Sequence, residues 1–267
     1  QALMKNTKVI YYDKNHTNNT VELLNSDIKK YLKEEKETHI TEWGVSTQYG
    51  NLINDTCFAS SFIVSNILQC IGKVNSIGHW IFTDLMEEAK LPREEFHGGF
   101  GLMTYNGIKK PSYFAYYILN KLGNEIIEQS EGYIVTRKNE DIQILTYNYT
   151  HFDDLFMNGD FSALSYKKRY MIFKEKAANE IYINIKELYG YYKVTKYKLD
   201  RENGSSYDNW IRMGSPEDMG NEEIDYLKST SNPKITVEYL DLDGSYKDKI
   251  YTQVHGVDLI VLEKKFK

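Results

Sequence analysis

Apolar side chains recur at helical spacing in three stretches of the first half of the chain. The first stretch runs from Thr20 to Glu35, and the second, with a wider apolar stripe, runs from Asp55 to Ile71. Asn54 or Asp55 stands where the second helix needs its N-terminal cap. The third stretch, Ser112 to Leu122, lies between a proline and a glycine, the usual start and stop signals of a helix. The pattern therefore predicts three amphipathic helices.

Two segments with strand-like character separate these helices. Thr38 to Trp43 combines β-branched and aromatic residues, and Val74 to Asp84 is nearly continuous in apolar character, as expected of a strand covered on both faces. Strands that alternate with helices indicate a parallel α/β architecture. The next segment, Leu85 to Asn106, is rich in glycine, and a loop of that length inside a compact domain is usually either functional or disordered.

Beyond Gly132 the pattern changes to short β-like runs without intervening helices. Tyr133 to Thr136 and Ile142 to Tyr149 flank a polar turn and predict a hairpin. An Asp-Gly pair within residues 241–244 predicts a further turn between strands. The remaining predicted strands are Glu180 to Leu188, Tyr191 to Leu199, Lys234 to Leu240 and Ile250 to Leu262. We therefore predict an α/β part over residues 1–128 and an antiparallel β-sandwich over residues 129–267.

Composition excludes several functional classes. The 267 residues are 41% hydrophobic and carry a net charge of -5 from intermixed acidic and basic residues, so no basic block predicts direct contact with nucleic acid from this part of the protein. The sequence has neither an apolar run long enough to span a membrane nor an apolar signal core at its start. Cys57 and Cys70 fall on one predicted helix, too far apart for a disulfide, and this favours free thiols and a cytoplasmic location.

Glu42 is the first candidate functional residue. It lies near the C-terminal end of the predicted strand Thr38 to Trp43. In barrels of alternating strands and helices, catalytic side chains are displayed at that end of the strands. The alternative is that Glu42 is an ordinary solvated surface charge.

Glu42 belongs to a series of short motifs. The series consists of Ile-Thr-Glu-Trp at 40–43, Trp-Ile-Phe-Thr-Asp at 80–84 followed by Glu87 and Glu88, His-Gly-Gly-Phe-Gly-Leu at 97–102, and Asn-Gly-Ile with Lys-Pro at 106–111. In this order it resembles the last two barrel strands of glycoside hydrolase family 39, the β-xylosidases. The resemblance implies the C-terminal part of a (β/α)8 TIM barrel followed by a β-domain.

The resemblance also implies site roles. Glu42 matches the nucleophile of a retaining glycosidase, whereas Trp80, Glu87 and Glu88 match residues that contact the sugar in the terminal xylose subsite. An aromatic ring offers a flat apolar floor for a sugar, and carboxylates accept hydrogen bonds from its hydroxyls. The alternative is that Trp80 packs in the core and the two later glutamates are solvated. Neither a metal nor a cofactor is expected.

One half of the catalytic pair is missing from the sequence. Retaining hydrolysis needs two carboxyl groups about 5 to 5.5 Å apart. The acid/base residue of the family lies in an Asn-Glu-Pro motif, and no Glu-Pro pair occurs in this chain. About 125 residues precede the β-rich part, where a complete barrel takes about 250, so the earlier barrel segments are expected as a partner of this part. His39 and His97 are expected to be structural, hydrogen-bonding residues.

Two departures from the family pattern concern the predicted pocket. Gly44 follows the Glu-Trp pair where family enzymes commonly have asparagine, and His79 precedes the subsite tryptophan where they have tyrosine. Either change could alter how the pocket holds its ligand.

The sequence leaves two functional hypotheses. Segments at 54–58, 145–149 and 204–210 are more similar to the family 39-like module of AraC-type transcription regulators than to secreted xylosidases. In such a regulator the module would sense xylose or a xylo-oligosaccharide, or act as a scaffold, without hydrolysis. The alternative is a fragment of a retaining β-xylosidase with Glu42 as nucleophile.

Overall fold

The computed structural model describes residues 13–86 and 94–265. The first part of the chain contains three helices and a parallel pair of strands. In chain order these elements are α1 (His16–Leu32), β1 (His39–Trp43), a 3₁₀ helix (Leu52–Asp55), α2 (Cys57–Cys70), β2 (Ser76–His79) and α3 (Pro111–Leu119). The predicted α/β alternation is therefore present in this part.

The two parallel strands are shorter than the sequence predicted, and their outer edges are unpaired within the described residues. β1 and β2 pair with each other over His39–Ser76 and Ile40–Ile77, and within the described residues neither strand pairs with a third. β2 ends at His79, and residues 81–84 form hydrogen bonds with residues 100–103 of the following loop instead. Because a two-stranded parallel sheet is marginal on its own, helix packing must hold this pair in place.

Helix α2 is the packing centre of this part, whereas α1 is largely exposed. Most residues of α2 are buried, and α2 packs on α3. Of the residues of α1, all of which are described, only Val21 is buried, while Leu23, Leu24, Tyr31 and Leu32 expose large apolar side chains. The apolar stripe of α1 is thus covered at Val21 but exposed at Leu24, Tyr31 and Leu32 within the described chain.

The predicted cap of α2 is wrong. Thr56 occupies the N-cap position, and Asp55 is instead the last residue of the 3₁₀ helix and is fully buried. The reason is that Asp55 forms buried ion pairs with residues distant in sequence, which the local pattern cannot reveal.

The second part of the chain is built on one six-stranded antiparallel sheet in the order β3-β4-β5-β8-β6-β7. Its strands are β3 (Glu125–Ser130), β4 (Tyr133–Lys138), β5 (Asp141–Tyr147), β6 (Asn179–Leu199), β7 (Lys234–Thr252) and β8 (Val257–Lys265). The helices α4 (Asp154–Met157), α5 (Ser206–Arg212) and α6 (Asn221–Thr230) lie in the connections. The predicted antiparallel character is confirmed, and the sheet begins at Glu125, before the boundary predicted at 128/129.

Two predicted strand breaks are wrong. Residues 188–191 and 241–244 lie inside β6 and β7, which pair continuously apart from a register shift at Lys186 to Leu188. Gly190 and Gly244 have φ angles of 103° and 105°, so they bend the ribbon where turns were predicted. The Asp-Gly signal therefore marks a bend within a strand.

The bend folds the ribbon back over the sheet. A straight strand of 21 residues would extend about 70 Å, yet the start of β6 and the end of β7 both return to β5. Asn179 Nδ2 donates to the carbonyl oxygen of Tyr147 at 3.3 Å, and the hydroxyls of Thr146 and Thr252 lie 2.6 Å apart. The returning ribbon covers an apolar layer that contains Ile144 and Ile260.

One hydrophobic core joins the two parts of the chain. Phe58 of α2 stacks on Phe173 at a centroid distance of 4.6 Å and meets His255, from the connection between β7 and β8, edge-on at 5.6 Å.

Both predicted thiols, Cys57 and Cys70, are free and buried on α2. Within the described ranges no helix is long and apolar enough to cross a membrane.

Candidate functional site

A groove of about 690 Å³ opens at the C-terminal end of β1. Its lining includes Glu42, Trp43 and Trp80, together with residues of α1, α2 and the segment 149–152. Glu42 and Trp80 come from neighbouring strand ends, and the backbone N–H of Trp80 donates to the carbonyl oxygen of Trp43 at 2.8 Å. The structure thus brings two of the predicted site residues to one concave surface.

The Glu42 side chain is exposed in this groove. It forms no hydrogen bond or ion pair with any residue that the structure describes. A carboxylate in that position has free lone pairs for the hydroxyl of a ligand. Trp80 is 40% exposed, so one part of its ring is available as an apolar surface.

Aromatic side chains build the apolar wall of the groove. Trp43 stacks on Phe62 with a centroid distance of 5.4 Å and an interplanar angle of 18°, and its indole N–H donates to the hydroxyl of Thr17 at 3.1 Å. Phe100 and Tyr149 also line the groove. This combination of an aromatic wall and a few polar groups suits the alternating apolar and hydroxyl faces of a sugar.

Asp13 is the second carboxylate among the described residues of the lining, but it is engaged in the helix start. It accepts hydrogen bonds from the backbone N–H of Asn15 at 2.8 Å and from the side-chain amide of Asn19 at 2.5 Å. A carboxyl group engaged by two donors beside the start of α1, whose N-cap residue is Asn15, is not free to serve as a general acid. In the described part of the chain the groove therefore contains one unengaged carboxylate, Glu42.

The two departures from the family pattern lie beside each other under Trp80. A Cβ atom built on Gly44 would lie 3.4 Å from the carbonyl oxygen of Trp80 and 3.9 Å from the ring of His79. The His79 ring lies 3.2 Å from both the carbonyl oxygen of Phe100 and the hydroxyl of Tyr116. Burial lowers the pKa of His79, so a neutral ring donates to Phe100 and accepts from Tyr116. A side chain at position 44 would thus contact both His79 and the backbone of Trp80.

Glu87 and Glu88, the other two predicted sugar contacts, fall outside the described residues.

His39 and His97 have structural hydrogen bonds. His39 lies 2.8 Å from the hydroxyl of Ser76 and 3.3 Å from Glu37. His97 lies 3.0 Å from both the hydroxyl of Tyr49 and the carbonyl oxygen of Glu94.

A buried charge network fixes the glycine-rich loop beside the groove. Lys110 Nζ lies 2.7 Å from a carboxylate oxygen of Asp55 and 2.7 Å from one of Asp84, and Arg169 lies 2.6 Å from Asp55, with all four side chains fully buried. The backbone of the loop is hydrogen-bonded to this network, because the N–H of Gly98 donates to Asp55 at 2.8 Å and the N–H of Gly101 donates to Asp84 at 2.7 Å.

The network is electrically neutral, with two cations facing two anions. Burial alone would raise the pKa of Asp55 and lower that of Lys110, but the opposite charges outweigh burial and shift both towards the charged forms. The pKa of Asp84 is raised, first by burial and then by the nearby charge of Asp55, although Lys110 opposes both. Asp84 is therefore the least well-compensated charge of the network.

Sequence reasoning missed this network. Asp84 and Lys110 were present in the motif series, but only the fold shows that they are ion-paired, and Arg169 carried no signal at all. The network explains why Gly99 is needed in the loop, since a Cβ atom there would lie 2.3 Å from an Asp84 oxygen. Among the described residues no cluster of His, Cys, Asp and Glu has the arrangement of a metal site.

Comparisons with known proteins connect this geometry to two kinds of relatives. An uncharacterized HTH-type transcriptional regulator of Staphylococcus aureus is 28% identical over 252 residues, which are 94% of this chain and 32% of the regulator. A beta-xylosidase of Geobacillus stearothermophilus is 25% identical over 227 residues, which are 85% of this chain and 41% of the enzyme. The chain thus spans less than half the length of either relative.

Solved structures show the same fold. The monomeric beta-xylosidase of Caulobacter crescentus matches with a TM-score of 0.81 at 24% identity, over 96% of this chain and 51% of that one. The GH39 enzyme of Xanthomonas axonopodis pv. citri matches with a TM-score of 0.79 at 22% identity, over 93% of this chain and 49% of that one. The family model of glycosyl hydrolases family 39 matches residues 2–246. Because that match covers most of the chain, the chain belongs to glycosyl hydrolase family 39.

Proposed function

We propose that this chain is the carbohydrate-recognition module of an AraC-type transcription regulator, in which it senses a sugar or acts as a scaffold. The observation that carries the proposal is that Glu42 and Trp80 line one groove together with an aromatic wall. Sequence similarity over 94% of the chain to an HTH-type regulator supports the regulatory setting. The DNA-binding helices would then lie in a part of the protein that precedes this chain.

The proposed ligand is xylose or a xylo-oligosaccharide. The beta-xylosidases among the relatives motivate this choice. Trp80 would stack on the apolar face of the sugar, and Glu42 would accept a hydrogen bond from a hydroxyl. Glu87 and Glu88 would contribute further hydrogen-bond acceptors.

We also propose that residues 1–128 complete a (β/α)8 barrel with preceding segments of the protein, and that residues 129–267 form the appended β-sandwich domain. Two features support this division. Within the described chain β1 and β2 pair only with each other, so both outer edges can accept a neighbouring parallel strand. The exposed residues Leu24, Tyr31 and Leu32 of α1 supply an apolar face for the preceding helix.

The alternative function is a retaining β-xylosidase with Glu42 as nucleophile. Its support is the similarity to the Geobacillus stearothermophilus enzyme over 85% of the chain. A general acid would then have to come from a preceding barrel segment, because the sequence contains no Glu-Pro pair and the Asp13 carboxylate is engaged by Asn15 and Asn19. Loss of a general acid typically lowers the rate 10²- to 10⁴-fold, so this chain alone should not measurably hydrolyse an aryl β-xyloside.

One pair of variants distinguishes the two functions in the full-length protein. Glu42→Gln keeps an acceptor oxygen but removes the nucleophile, so a sensor should retain sugar binding while an enzyme should lose turnover. Trp80→Ala should weaken binding in both cases. Titration calorimetry with xylose and xylobiose, run beside an aryl-xyloside assay, measures both properties. If neither sugar binds the wild type or either variant, the sensing function is refuted and a scaffold is the remaining role.

A further inference from the structure

The N-terminal half of β7 is an exposed edge of the six-stranded sheet. Within the described residues β7 is the last strand of that sheet and pairs only with β6. All the residues from Lys234 to Tyr239 are exposed, so neither face of this segment is covered. We refer to residues 234–239 as the β7 edge. An edge strand presents a row of unpaired N–H and C=O groups, which another strand can use.

One face of the β7 edge carries an apolar row. Ile235, Val237 and Tyr239 alternate along the strand, and their exposed fractions are 51%, 50% and 56%. Tyr239 stacks on Tyr191 of β6 at a centroid distance of 5.7 Å, so its ring is held in position while one side stays uncovered. Between Lys234 and Tyr239 there is neither a proline nor a register shift, two of the devices that keep an edge strand from pairing. The row is therefore suited to contact with another chain.

The other face of the β7 edge carries two opposite charges, Lys234 and Glu238, with Thr236 between them. Glu238 forms an exposed ion pair with Lys196 of β6 at 3.1 Å. Lys234 lies directly opposite Lys198 of β6, and no carboxylate of the described residues forms an ion pair with it. Like charges directly opposite each other destabilise a sheet. This face therefore offers a cation that lacks a counter-charge, four residues from an anion.

The β7 edge is complementary to itself in one antiparallel register. When two copies pair about a two-fold axis at Thr236, Lys234 lies opposite Glu238 of the second copy. In the same register Ile235 lies opposite Val237 of the second copy, and the axis repeats each contact. Centring the axis on Ile235 or Val237 would place both charges opposite uncharged residues, and centring it on Glu238 would bring two carboxylates together. Charge complementarity therefore selects the register centred on Thr236.

We propose that the protein forms a two-fold homodimer in which the β7 edges of two copies pair as antiparallel strands. The pairing joins the two sheets into one continuous sheet, gives the edge backbone groups their hydrogen-bond partners and covers the apolar row on one face. On the other face it supplies the counter-charge of Lys234. A different partner would have to carry both charges at the same spacing, whereas a second copy does so by symmetry. The inference goes beyond the proposed function, because the dimer requires neither Glu42 nor Trp80.

Sedimentation velocity of the full-length protein tests the dimer through its charges. Lys234→Glu and Glu238→Lys each place like charges opposite each other at two positions of the dimer, so each variant should dimerise about tenfold or more weakly than wild type. A mixture of the two variants should form a dimer again, because each charge of one variant then meets its opposite in the other. Lys247→Glu is the matched control and should dimerise like wild type, since Lys247 is an exposed residue of β7 outside the β7 edge.

Single cysteines test the register, whatever other contacts the full-length protein makes. Directly opposite Cβ atoms of paired strands lie about 4.5–5.5 Å apart, whereas diagonal neighbours lie about 7–8 Å apart, which is too far for a disulfide. Thr236→Cys should therefore form a disulfide-linked dimer on mild oxidation, and Val237→Cys should link far less. Thr236 is exposed, so this arm stays valid even if Glu238→Lys proves unstable through loss of its ion pair with Lys196.

Three results would each overturn the proposal. The first is a wild-type protein that stays monomeric up to about 100 μM, a concentration at which even a small, transient interface should be occupied. The second is a mixture of the two charge variants that forms no dimer. The third is a Thr236→Cys variant that links no more than Val237→Cys.

Discussion

Replacing Lys110 by methionine should strongly destabilise the protein. Lys110 Nζ bridges Asp55 and Asp84 at 2.7 Å each in a fully buried site. Without it, Asp55 keeps its ion pair with Arg169 at 2.6 Å, whereas Asp84 keeps, among the described residues, only the hydrogen bond from the N–H of Gly101 at 2.7 Å. The loss therefore falls on Asp84, a buried carboxylate left without a counter-charge.

Two estimates of the size of this effect agree. Removing one partner of a buried ion pair typically costs about 3–5 kcal/mol of unfolding free energy. The variant can limit the loss by protonating Asp84, which at pH 7 costs about 1.4 kcal/mol per pH unit above its ordinary pKa of 3.8, or about 4 kcal/mol. Both estimates are large compared with the roughly 5–15 kcal/mol that stabilises a typical domain.

Urea denaturation followed by tryptophan fluorescence measures the effect, with Lys109→Met as the control. Lys109 is half-buried and contacts the ring of Tyr113 at 4.7 Å, so its replacement should cost below about 1 kcal/mol. In Lys110→Met the pKa of Asp84 rises further above its unfolded value. A raised pKa favours the folded state below the unfolded pKa and disfavours it as pH rises, so the deficit should shrink between pH 7 and pH 4.5.

The double variant Lys110→Met with Asp84→Asn should recover much of the lost stability, because it removes the unpaired charge. A deficit below about 1 kcal/mol at pH 7 would show that the network is not an important stabilising unit. The electrostatic reasoning would also fail if the deficit did not change with pH, or if the double variant were no more stable than Lys110→Met alone.

Three further predictions follow from single contacts. Gly99→Ala should lower the free energy of unfolding by about 1–3 kcal/mol, since its methyl group would lie 2.3 Å from Asp84, and thermal melting would show this loss. Burial raises the pKa of Asp258 to about 6, so this residue contributes favourably to the free energy of unfolding at low pH and loses that contribution as pH rises through 6. Asp258→Asn should therefore be more stable than wild type at pH 7.5, by about 3 kcal/mol at most. The same urea assay should show that this advantage is lost near pH 4. Trp80→Ala should weaken xylose binding by about 1–3 kcal/mol, roughly tenfold or more, in titration calorimetry; an unchanged affinity would remove Trp80 from the proposed site.

The regular elements of the first part could be predicted from sequence because their residues act locally. The apolar periodicity of α1 and α2 and the β-branched, aromatic run at β1 indicate secondary structure without reference to the rest of the chain. The position of Glu42 near the end of a strand could be identified in the same way. Its placement beside Trp80 followed only from the resemblance to a family.

Other features depended on contacts between distant residues. The Asp-Gly pair before Ser245 predicts a turn from its local sequence. In the structure, β6 pairs along the whole of β7, so this pair forms a bend within a strand. Asp55 is a residue type that often caps helices, but here it is buried and forms ion pairs with Lys110 and Arg169 instead.

The sequence by itself thus determined which segments form helices and strands and which short motifs indicate the family. Only the tertiary structure decided which charges are buried together and which side chains share a groove. The physical reason is that hydrophobic periodicity and turn propensity act over a few neighbouring residues, whereas ion pairs and pockets depend on the distance between atoms. Asp55 and Arg169 are 114 positions apart, and no local signal in the sequence indicates that the fold brings them to 2.6 Å.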